Sequence, residues 1–472
     1  MQYSIVNFSE FKAENLRIDA EYWRPVFIEN ASLLSPHQKI RDFVSPDIRN
    51  IKSTPINTDF AYLSDSQISP RHLEYKTTNV RWGEAPEQAY YLLEKGDVVV
   101  SMRMPDRNAV ALLKTDGVVG SRDLAVLRSN RITPEYLFAF CKTEYFVNCL
   151  RRANKGSLPL AVSMTDVLDT AVFVPSDPFE DLIAKTVTVS IFERERAQQI
   201  DTEAESVLLS ELRLTDWRPK SRLTFVKNFS DMQRAGRIDS DYFQPRYEVV
   251  VNAIRNYLGG SATLGDLVTF KRGVEVERQQ TLEAGIPFVR VSDLSSSEVT
   301  EEKYISQECY SDMQEHQPQK GDILLSTDGT PGIAYYVHSG RKRMIPSSGI
   351  LILKSDTDKV GNESLTLILN SILTQEQVHR DVAGSSSIQC WRSDQVAATR
   401  IPLLSREKQV EIEQRRSESF QLRHRSKKFL ENAKKAIEIA IAQDERTASN
   451  WLESAHQNLR NGRNEELAVS DT

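Results

Sequence analysis

Cysteine and histidine are sparse in this 472-residue chain, which contains four cysteines and seven histidines. None of the cysteines is spaced as a CxxC redox or zinc motif. We therefore expect reduced, mostly buried thiols at Cys141, Cys149, Cys309 and Cys390. The histidines are equally dispersed, and no HExxH motif or paired histidine cluster occurs. The sequence thus predicts no metal site.

Long apolar runs are also missing, since none approaches the roughly 20 residues that a membrane-spanning helix needs. The first residues, Met1 to Ser4, show no basic region followed by an apolar core, so no secretory signal is indicated. A hydrophobic content of 40% with 27% charged residues is typical of a soluble globular protein. We expect a cytoplasmic protein with no membrane partner.

An excess of positive charge is absent as well, because the formal net charge is −6. A protein that binds nucleic acid by bulk electrostatics is expected to have a domain pI above about 9. Any DNA binding must therefore be local, or shared with partner subunits.

Catalytic and cofactor motifs are missing too. The chain has no Asn/Asp-Pro-Pro-Tyr motif and no glycine-rich cofactor loop, and Gly329-Thr330-Pro331-Gly332 lacks the spacing of either phosphate-binding fingerprint. We expect no cofactor and no catalytic residue. Pro46-Asp47 followed by Glu74-Tyr75-Lys76 superficially matches a metal-dependent nuclease, whose site needs two carboxylates and a lysine. The second half offers Glu301-Glu302-Lys303 but nothing like Pro46-Asp47, so this nuclease stays a minor alternative.

What the chain does contain is a stretch written twice. Residues 17–25 read Arg-Ile-Asp-Ala-Glu-Tyr-Trp-Arg-Pro, and residues 237–245 read Arg-Ile-Asp-Ser-Asp-Tyr-Phe-Gln-Pro. The register persists downstream, where Lys95-Gly96-Asp97-Val98 matches Lys320-Gly321-Asp322-Ile323. Solenoid repeats have periods of roughly 20 to 50 residues, so an offset of 220 to 228 indicates two duplicated domains. We interpret the repeated Arg-Ile-Asp stretch as structural, packing the start of each domain against long helices.

Each half has the pattern of an α+β unit. Short β runs occur at 97–101 and 124–127, and their counterparts lie at 321–326 and 350–353. A helical block is predicted from Thr133 to Arg152, with Thr133 as cap and Pro134 at the first helical position.

A long helix follows each unit. Residues 178–214 contain no glycine or proline beyond Pro178, and their apolar positions keep mostly helical spacing. In the second copy, Leu430, Ala433, Ile437 and Ala440 step as a coiled-coil seam. Helices this long and polar rarely fold alone, so we predict that they pair with each other. The tail after 443 is polar and is equally compatible with disorder or with a short helix around Trp451.

The predicted architecture is therefore α+β, with two duplicated domains separated by two long helices packed as an antiparallel coiled coil. The expected boundaries are a first domain at 1–175, a central helix at 176–214, a second domain with its linker at 215–404, a distal helix at 405–443 and a tail at 444–472.

This organisation resembles the specificity (S) subunit of type I restriction-modification systems. The second half carries the closer match, in Gly321 to Ser326, in Thr327-Asp328-Gly329 and in Gly384-Ser385-Ser386. The first half departs, because Ser101-Met102-Arg103-Met104-Pro105 replaces the Thr-Asp-Gly loop. The resemblance implies two target-recognition domains on double-stranded DNA, an antiparallel helical spacer, two docked methyltransferase (M) subunits, and restriction and motor (R) subunits that join the complex.

DNA contacts need cationic or amide side chains at base edges, with further cations and hydroxyls on phosphates. Side chains in or beside predicted loops are the candidates, against the alternative of an ordinary solvated surface. They are Arg49, Lys52, Arg103, Arg107, Arg122 and Lys155 in the first half, and Lys271, Arg272, Arg278, Arg290, Thr327, Arg341, Lys342, Arg343, Ser385 and Ser386 in the second. The acidic balance leaves one other class of function open, a coiled-coil scaffold that does not bind DNA.

Overall fold

The computed structural model describes residues 19–34, 38–52, 58–70, 73, 75–154, 160–277, 280–282, 284–300, 302–338, 343–355, 359–383 and 389–460. It divides into two compact units, one of residues 1–195 with 422–472 and the other of residues 196–421. Both units mix helices with small sheets, which confirms the predicted α+β class.

The first half of the chain forms seven strands and five helices within its described ranges. The strands are β1 Phe60–Leu63, β2 Thr78–Val80, β3 Ala89–Leu93, β4 Val98–Ser101, β5 Val110–Leu112, β6 Val118–Ser121 and β7 Leu124–Leu127. The helices are α1 Pro25–Leu33, α2 Pro134–Cys141, α3 Glu144–Ala153, α4 Met164–Leu168 and α5 Asp177–Glu211. Short 3-10 helices occur at Ile40–Asp42, Asp65–Gln67, Trp82–Glu84 and Pro105–Arg107.

The second half repeats this plan with additions. Its helices are α6 Phe229–Ala235, α7 Pro245–Arg255, α8 Leu264–Leu267, α9 Gln307–Met313, α10 Asn362–Asn370, α11 Ile372–Val382, α12 Ser393–Ala398, α13 Arg406–Ala442 and α14 Glu445–Arg460. Its strands are β8 Ser261–Thr263, β9 Val268–Arg272, β10 Ile286–Val289, β11 Tyr304–Ile305, β12 Ile323–Ser326, β13 Asp328–Gly329, β14 Ala334–Tyr336, β15 Ile345–Pro346, β16 Ile350–Ser355, β17 Gln389–Cys390 and β18 Arg400–Pro402. Further 3-10 helices lie at Val291–Asp293 and Gln314–His316.

Equivalent strands form equivalent sheets in the two halves. Strand β4 lies between β5 and β7, and β12 lies between β14 and β16, all antiparallel. Strand β1 pairs in parallel with β6, and β10 pairs in parallel with β15. In the second half, β9 adds a fourth strand beside β16. The two central strands are fully buried, because each has apolar neighbours on both faces.

The repeated Lys-Gly-Asp sequence forms the same turn before both central strands. Gly96 and Gly321 have φ angles of 91° and 96°, a left-handed conformation that favours glycine. The carboxylate of Asp97 accepts a hydrogen bond from the Glu94 amide at 2.8 Å, and that of Asp322 accepts one from the Gln319 amide at 2.8 Å. The Lys-Gly-Asp sequence therefore recurs because it forms the same turn in both halves.

The helical block predicted from Thr133 to Arg152 is wrong as a single helix. It divides into α2 and α3 at Lys142 and Thr143, and the Thr143 hydroxyl caps α3 by accepting from the Phe146 amide at 3.3 Å. Lys142 is buried at the break, where its ammonium donates to the carbonyls of Ser69, Pro70 and Asn108 at 3.2–3.4 Å. Pro134 begins α2 as predicted, but Thr133 makes no side-chain cap.

The long helices pack antiparallel, as predicted. In the first unit, Arg425 pairs with Glu193 at 2.7 Å, and the Ser190 hydroxyl donates to the Ser426 carbonyl at 2.6 Å. In the second unit, Arg416 pairs with Asp201 at 2.6 Å. Residue numbers rise along α5 as they fall along α13, which defines the antiparallel direction. The predicted seam residues Leu430, Ala433, Ile437 and Ala440 are all buried.

Of the two alternatives for the tail, the short helix is present through Arg460 as α14, whose Ala448 and Leu452 are fully buried. Among the residues described, no helix is both long and apolar enough to cross a membrane.

The aromatic residues of the two repeated stretches pack against α3 in the first half and against α11 in the second half. The Arg152 guanidinium lies 4.3 Å from the centre of the Tyr22 ring, and the Arg380 guanidinium lies 5.8 Å from the centre of the Tyr242 ring. Arg237 adds a paired contact to Asp239 at 2.7 Å. Helices α3 and α11 therefore receive these rings, where the sequence had suggested the long helices.

The four cysteines are free thiols, but their burial is uneven. Cys141 is buried, Cys149 and Cys309 are partly buried, and Cys390 is exposed. The expectation of mostly buried thiols is wrong for Cys390, which lies on the short strand β17.

Candidate nucleic-acid interface

A loop that follows the central strand of the first unit is fixed by main-chain hydrogen bonds. We call residues 102–108 the first clamp loop. The Met102 amide donates to the Asp123 carbonyl at 2.9 Å, and the Met102 carbonyl accepts from the Val162 amide at 2.9 Å. Arg103 then forms a β-bridge with Ala161. Main-chain bonds thus hold the loop between two neighbouring segments, and the Asn108 side chain adds a hydrogen bond to the Lys142 carbonyl at 3.1 Å.

Residues 327–333 form the second clamp loop, and its connections are the same. The Thr327 amide donates to the Gly349 carbonyl at 2.8 Å, and the Thr327 carbonyl accepts from the Trp391 amide at 2.8 Å. Strand β13 pairs with β17, in the place of the Arg103–Ala161 bridge. The first half therefore has the loop, although its Thr-Asp-Gly letters are missing.

The outward side chains of the two clamp loops carry opposite charge. Arg103 pairs with Asp123 at 3.0 Å, whereas its counterpart Asp328 lies 3.8 Å from Arg272. The next residue is left-handed in both loops, Met104 at φ 47° and Gly329 at φ 69°. One backbone frame thus presents two different chemical surfaces.

Three predicted cations of the first unit are exposed and form no ion pair with any described residue. They are Lys52, Arg107 and Arg122. The Arg122 guanidinium lies 4.8 Å from the centre of the Tyr90 ring, and the Ile51 amide, beside Lys52, donates to the Tyr90 carbonyl at 2.9 Å. The structure therefore brings Lys52 and Arg122 to the same end of β3.

Arg103 belongs with this group, because its partner Asp123 directly follows Arg122 in the chain. Arg49 does not, since it forms an ion pair with Glu94, which also pairs with Arg128 at 3.1 Å. Arg49 thus contributes to a local charge network at the other end of β3.

In the second unit the predicted cations are held by local partners. Lys271 pairs with Glu315 at 3.3 Å and thereby lowers the pKa of that carboxyl. Arg343 donates to the Gln307 side chain at 2.9 Å and lies 5.7 Å from the Tyr310 ring centre. Of Lys271, Arg272 and Arg343, which the structure describes, Arg272 lies beside the clamp loop, 3.8 Å from Asp328.

Two of the predicted site residues make contacts within the protein, and their role in DNA binding stays a prediction. Arg290 makes a two-pronged ion pair with the buried Asp293 at 2.8 and 3.0 Å and a further pair with Glu302 at 2.9 Å. The hydrogen bond to Asp293 raises the pKa of Arg290 and uses the face that a base would need. Thr327 is fully buried, and its hydroxyl donates to the Gly349 carbonyl at 3.1 Å.

The remaining predictions lie outside the described residues. They are Lys155, Arg278, Arg341, Lys342, Ser385 and Ser386.

Sequence reasoning missed one residue beside Arg122 in the first unit and one beside the clamp loop of the second unit. Tyr90, whose ring lies under the Arg122 guanidinium, belongs to no motif, although the adjacent Tyr90-Tyr91 pair is a visible aromatic signal. Cys390 shares a hydrogen bond with Asp328, which raises the pKa of its thiol. Nothing in its sequence spacing pointed to that contact.

The cations of the first clamp loop and its neighbours are weakly held by the protein itself. Exposed ion pairs such as Arg103 with Asp123 contribute only about 0–1 kcal/mol each. A phosphate can therefore displace the carboxylate at little cost, and the free cations Lys52 and Arg122 need no displacement. Among the described residues, no three His, Cys, Asp or Glu side chains are placed to hold a metal ion.

No family model matches this sequence, and no curated protein matches it. Three solved structures are similar over most of their length at low identity. A chain from a study of assembly and conformational transition of the type I R-M system is 18% identical, with 88% of this chain and 96% of that chain covered, at a TM-score of 0.30. The HsdS subunit from Thermoanaerobacter tengcongensis is 19% identical, with 88% and 95% covered, at 0.30. The type I restriction-modification S subunit from M. genitalium is 12% identical, with 90% and 94% covered, at 0.34.

Proposed function

We propose that this chain is the non-catalytic DNA-specificity subunit of a type I restriction-modification complex. Each unit reads one half of a bipartite, asymmetric double-stranded target through its clamp loop and the side chains around it. Two methyltransferase subunits dock on the helices, and restriction subunits join through the complex. The resemblance of the Gly-Asp-Ile-Leu-Leu-Ser and Thr-Asp-Gly stretches to that family supports the assignment.

The observation that carries the proposal is a backbone frame built twice with unlike side chains. Main-chain bonds at Met102 and Thr327 hold both loops alike, while Arg103 and Asp328 project opposite charges. A duplicated reader whose copies differ in surface chemistry recognises two different half-sites. Arginine suits guanine, whose N7 and O6 accept both of its donors, whereas a carboxylate accepts from the cytosine amino group.

The paired state of most cations also predicts how affinity is distributed. Phosphate contacts supply most of the affinity of DNA-binding proteins, and they weaken steeply with salt. A chain with few free cations should bind DNA weakly alone and tightly, with strong salt dependence, once the methyltransferase subunits add their own contacts.

The test is a half-site experiment on the complex of the full chain with its methyltransferase. Methylation mapping first identifies the bipartite target of the wild type. Arg103→Ala with Arg122→Ala should then weaken or relax recognition of one half-site, by roughly 1–3 kcal/mol for each lost base contact. Arg272→Ala should affect the other half-site only.

Arg151→Ala is the matched control, because this arginine is exposed, is ion-paired to Glu144 at 3.4 Å, and forms no hydrogen bond or ion pair with a described residue of the clamp loop. It should leave both half-sites unchanged. Equal losses at both half-sites in the clamp-loop variants, or no loss, would contradict the assignment. A wild-type complex that does not bind duplex DNA would favour the scaffold alternative.

A further inference from the structure

The segment before α7 exposes several large apolar side chains to solvent. We call residues 218–236 the strap, and its apolar side chains Leu223, Val226 and Phe229 are 105%, 93% and 71% exposed. Isolated exposed apolar residues are ordinary, but a contiguous group of them marks an interaction site.

Polar contacts fix this orientation. The Arg222 amide donates to the Gln244 side chain at 2.9 Å, and Gln244 donates back to the Arg222 carbonyl at 3.1 Å. Lys227 is mostly buried and forms an ion pair with Glu248 of α7. Polar side chains thus hold the strap to the unit, so that its apolar side chains face solvent.

Four residues in the middle of the strap leave their main-chain groups without hydrogen bonds to the described residues. Residues 224–227, Thr-Phe-Val-Lys, belong to no helix or strand, and their backbone groups make no hydrogen bond to any described residue. Threonine, phenylalanine and valine are residues that favour strands. A short segment with unpaired N–H and C=O groups can add as a strand to the open edge of another sheet.

The strap extends the internal duplication. Asn228-Phe229-Ser230-Asp231 repeats Asn7-Phe8-Ser9-Glu10, and Ile5 stands in the place of Val226. The two copies share an apolar residue at positions 5 and 226 and a phenylalanine at positions 8 and 229. Apolar side chains suit a protein partner and not a DNA backbone. A sequence kept in both halves suits an occupant that binds twice.

We propose that the strap is a docking strand for a methyltransferase subunit, which pairs an open sheet edge with residues 224–227 and covers Val226 and Phe229. The inference rests on the proposed function, in which two such subunits bind one chain. It adds a specific surface, lying outside the long helices, that holds one of them.

The test uses the full chain and its methyltransferase, with native mass spectrometry for stoichiometry and a binding titration for affinity. Val226→Ser with Phe229→Ser should weaken one of two methyltransferase sites by about tenfold or more, since anchor residues typically contribute over about 1 kcal/mol each. At limiting concentration the variant should retain one copy where the wild type retains two. Val226→Pro should have a similar effect, because proline removes the backbone donor that strand pairing needs.

Leu258→Ser is the matched control, since Leu258 is 99% exposed and lies outside the strap. It should bind two copies with wild-type affinity, and the thermal melting of all isolated variants should match the wild type. Two copies bound with unchanged affinity in the strap variants would overturn the inference and leave the proposed function standing. A wild-type chain that binds no methyltransferase would overturn both.

Two other outcomes identify a different occupant and also overturn the inference. If the strap variants abolish self-association of the isolated chain while methyltransferase binding is unchanged, the occupant is a second copy of this chain. If they abolish DNA binding alone, the strap contacts nucleic acid.

Discussion

A buried ion pair at the start of β4, the strand that leads into the first clamp loop, offers a stability test with an internal control. Asp97 is 1% exposed and accepts two hydrogen bonds from the Arg128 guanidinium at 2.8 and 2.9 Å. Asp97 precedes β4, which ends at Ser101, and the clamp loop follows directly. Arg128→Met should therefore leave a buried carboxylate supported only by the Glu94 amide.

Removing one partner of a buried ion pair costs about 3–5 kcal/mol, because the other charge stays in a poorly solvated place. For a unit of 150–250 residues each kcal/mol lowers the melting temperature by about 2–4 °C, so the expected fall is roughly 6–20 °C. Asp97→Asn combined with Arg128→Met should recover most of this loss, since no buried charge remains.

The duplication supplies the control. Lys354 occupies the position of Arg128 in the second half, but it is exposed and pairs with no described residue, although Asp322 is 7% exposed. Lys354→Met should change the free energy of unfolding by no more than about 0.5 kcal/mol. Hydrogen exchange of the amides in β4 and β7, compared with β12 and β16, measures each unit separately. If both variants lose less than about 1 kcal/mol, the buried pair does not hold the loop.

Three further predictions concern spacing, pH and salt. Seven residues inserted after Glu195 and after Gln421 should widen the gap between half-sites by about three base pairs, because each helix gains about 10.5 Å. Methylation mapping measures the gap, and an active variant with an unchanged gap would show that the helices are not the spacer. Burial raises the pKa of Glu363 to about 7, so the folded state binds a proton that the unfolded state lacks, and stability should fall as pH rises from about 4.5 to 7. Glu363→Gln should remove that slope in urea titrations, and an equal slope in both proteins would be evidence against it. Lys52→Ala should reduce the slope of log affinity against log salt concentration by about one on every DNA sequence, as expected for the loss of a phosphate contact. A change in base preference would argue for a base contact.

The insertion points show what the structure adds to the sequence. Polar residues surround both Arg196 and Arg425, but these two positions do not face each other, since Arg425 pairs with Glu193 and Ser419 donates to the Ala197 carbonyl at 3.1 Å. In an antiparallel pair, insertions must lie at the same level, or the residues between them lose their partners. Apolar spacing predicted the two long helices and their pairing. The contacts in the structure show which residues of α5 lie opposite which residues of α13.

The predicted sheets and helices succeeded where the signal was local. Buried β runs and a glycine turn are written in adjacent residues, so β4, β7, β12 and β16 were found. The break between α2 and α3 combines a local cap, the Thr143 hydroxyl on the Phe146 amide, with contacts from Lys142 to carbonyls more than 30 residues away. No helical periodicity records such a contact.

The candidate DNA contacts stay predictions, and the structure shows only the surroundings of each side chain. Choosing arginine and lysine by loop position could not separate Arg122 from Arg290, because the difference lies in the carboxylates that fold beside each one. The loss of the Thr-Asp-Gly letters likewise hid the first clamp loop, whose frame is made of backbone bonds that many sequences can form. Side-chain identity is then free to vary without loss of the frame, so a reader can change what it recognises while keeping its fold. This is the physical reason to expect unlike half-sites from like domains: the bonds at Met102 and Thr327 constrain only the main chain, and Arg103 and Asp328 are left to differ.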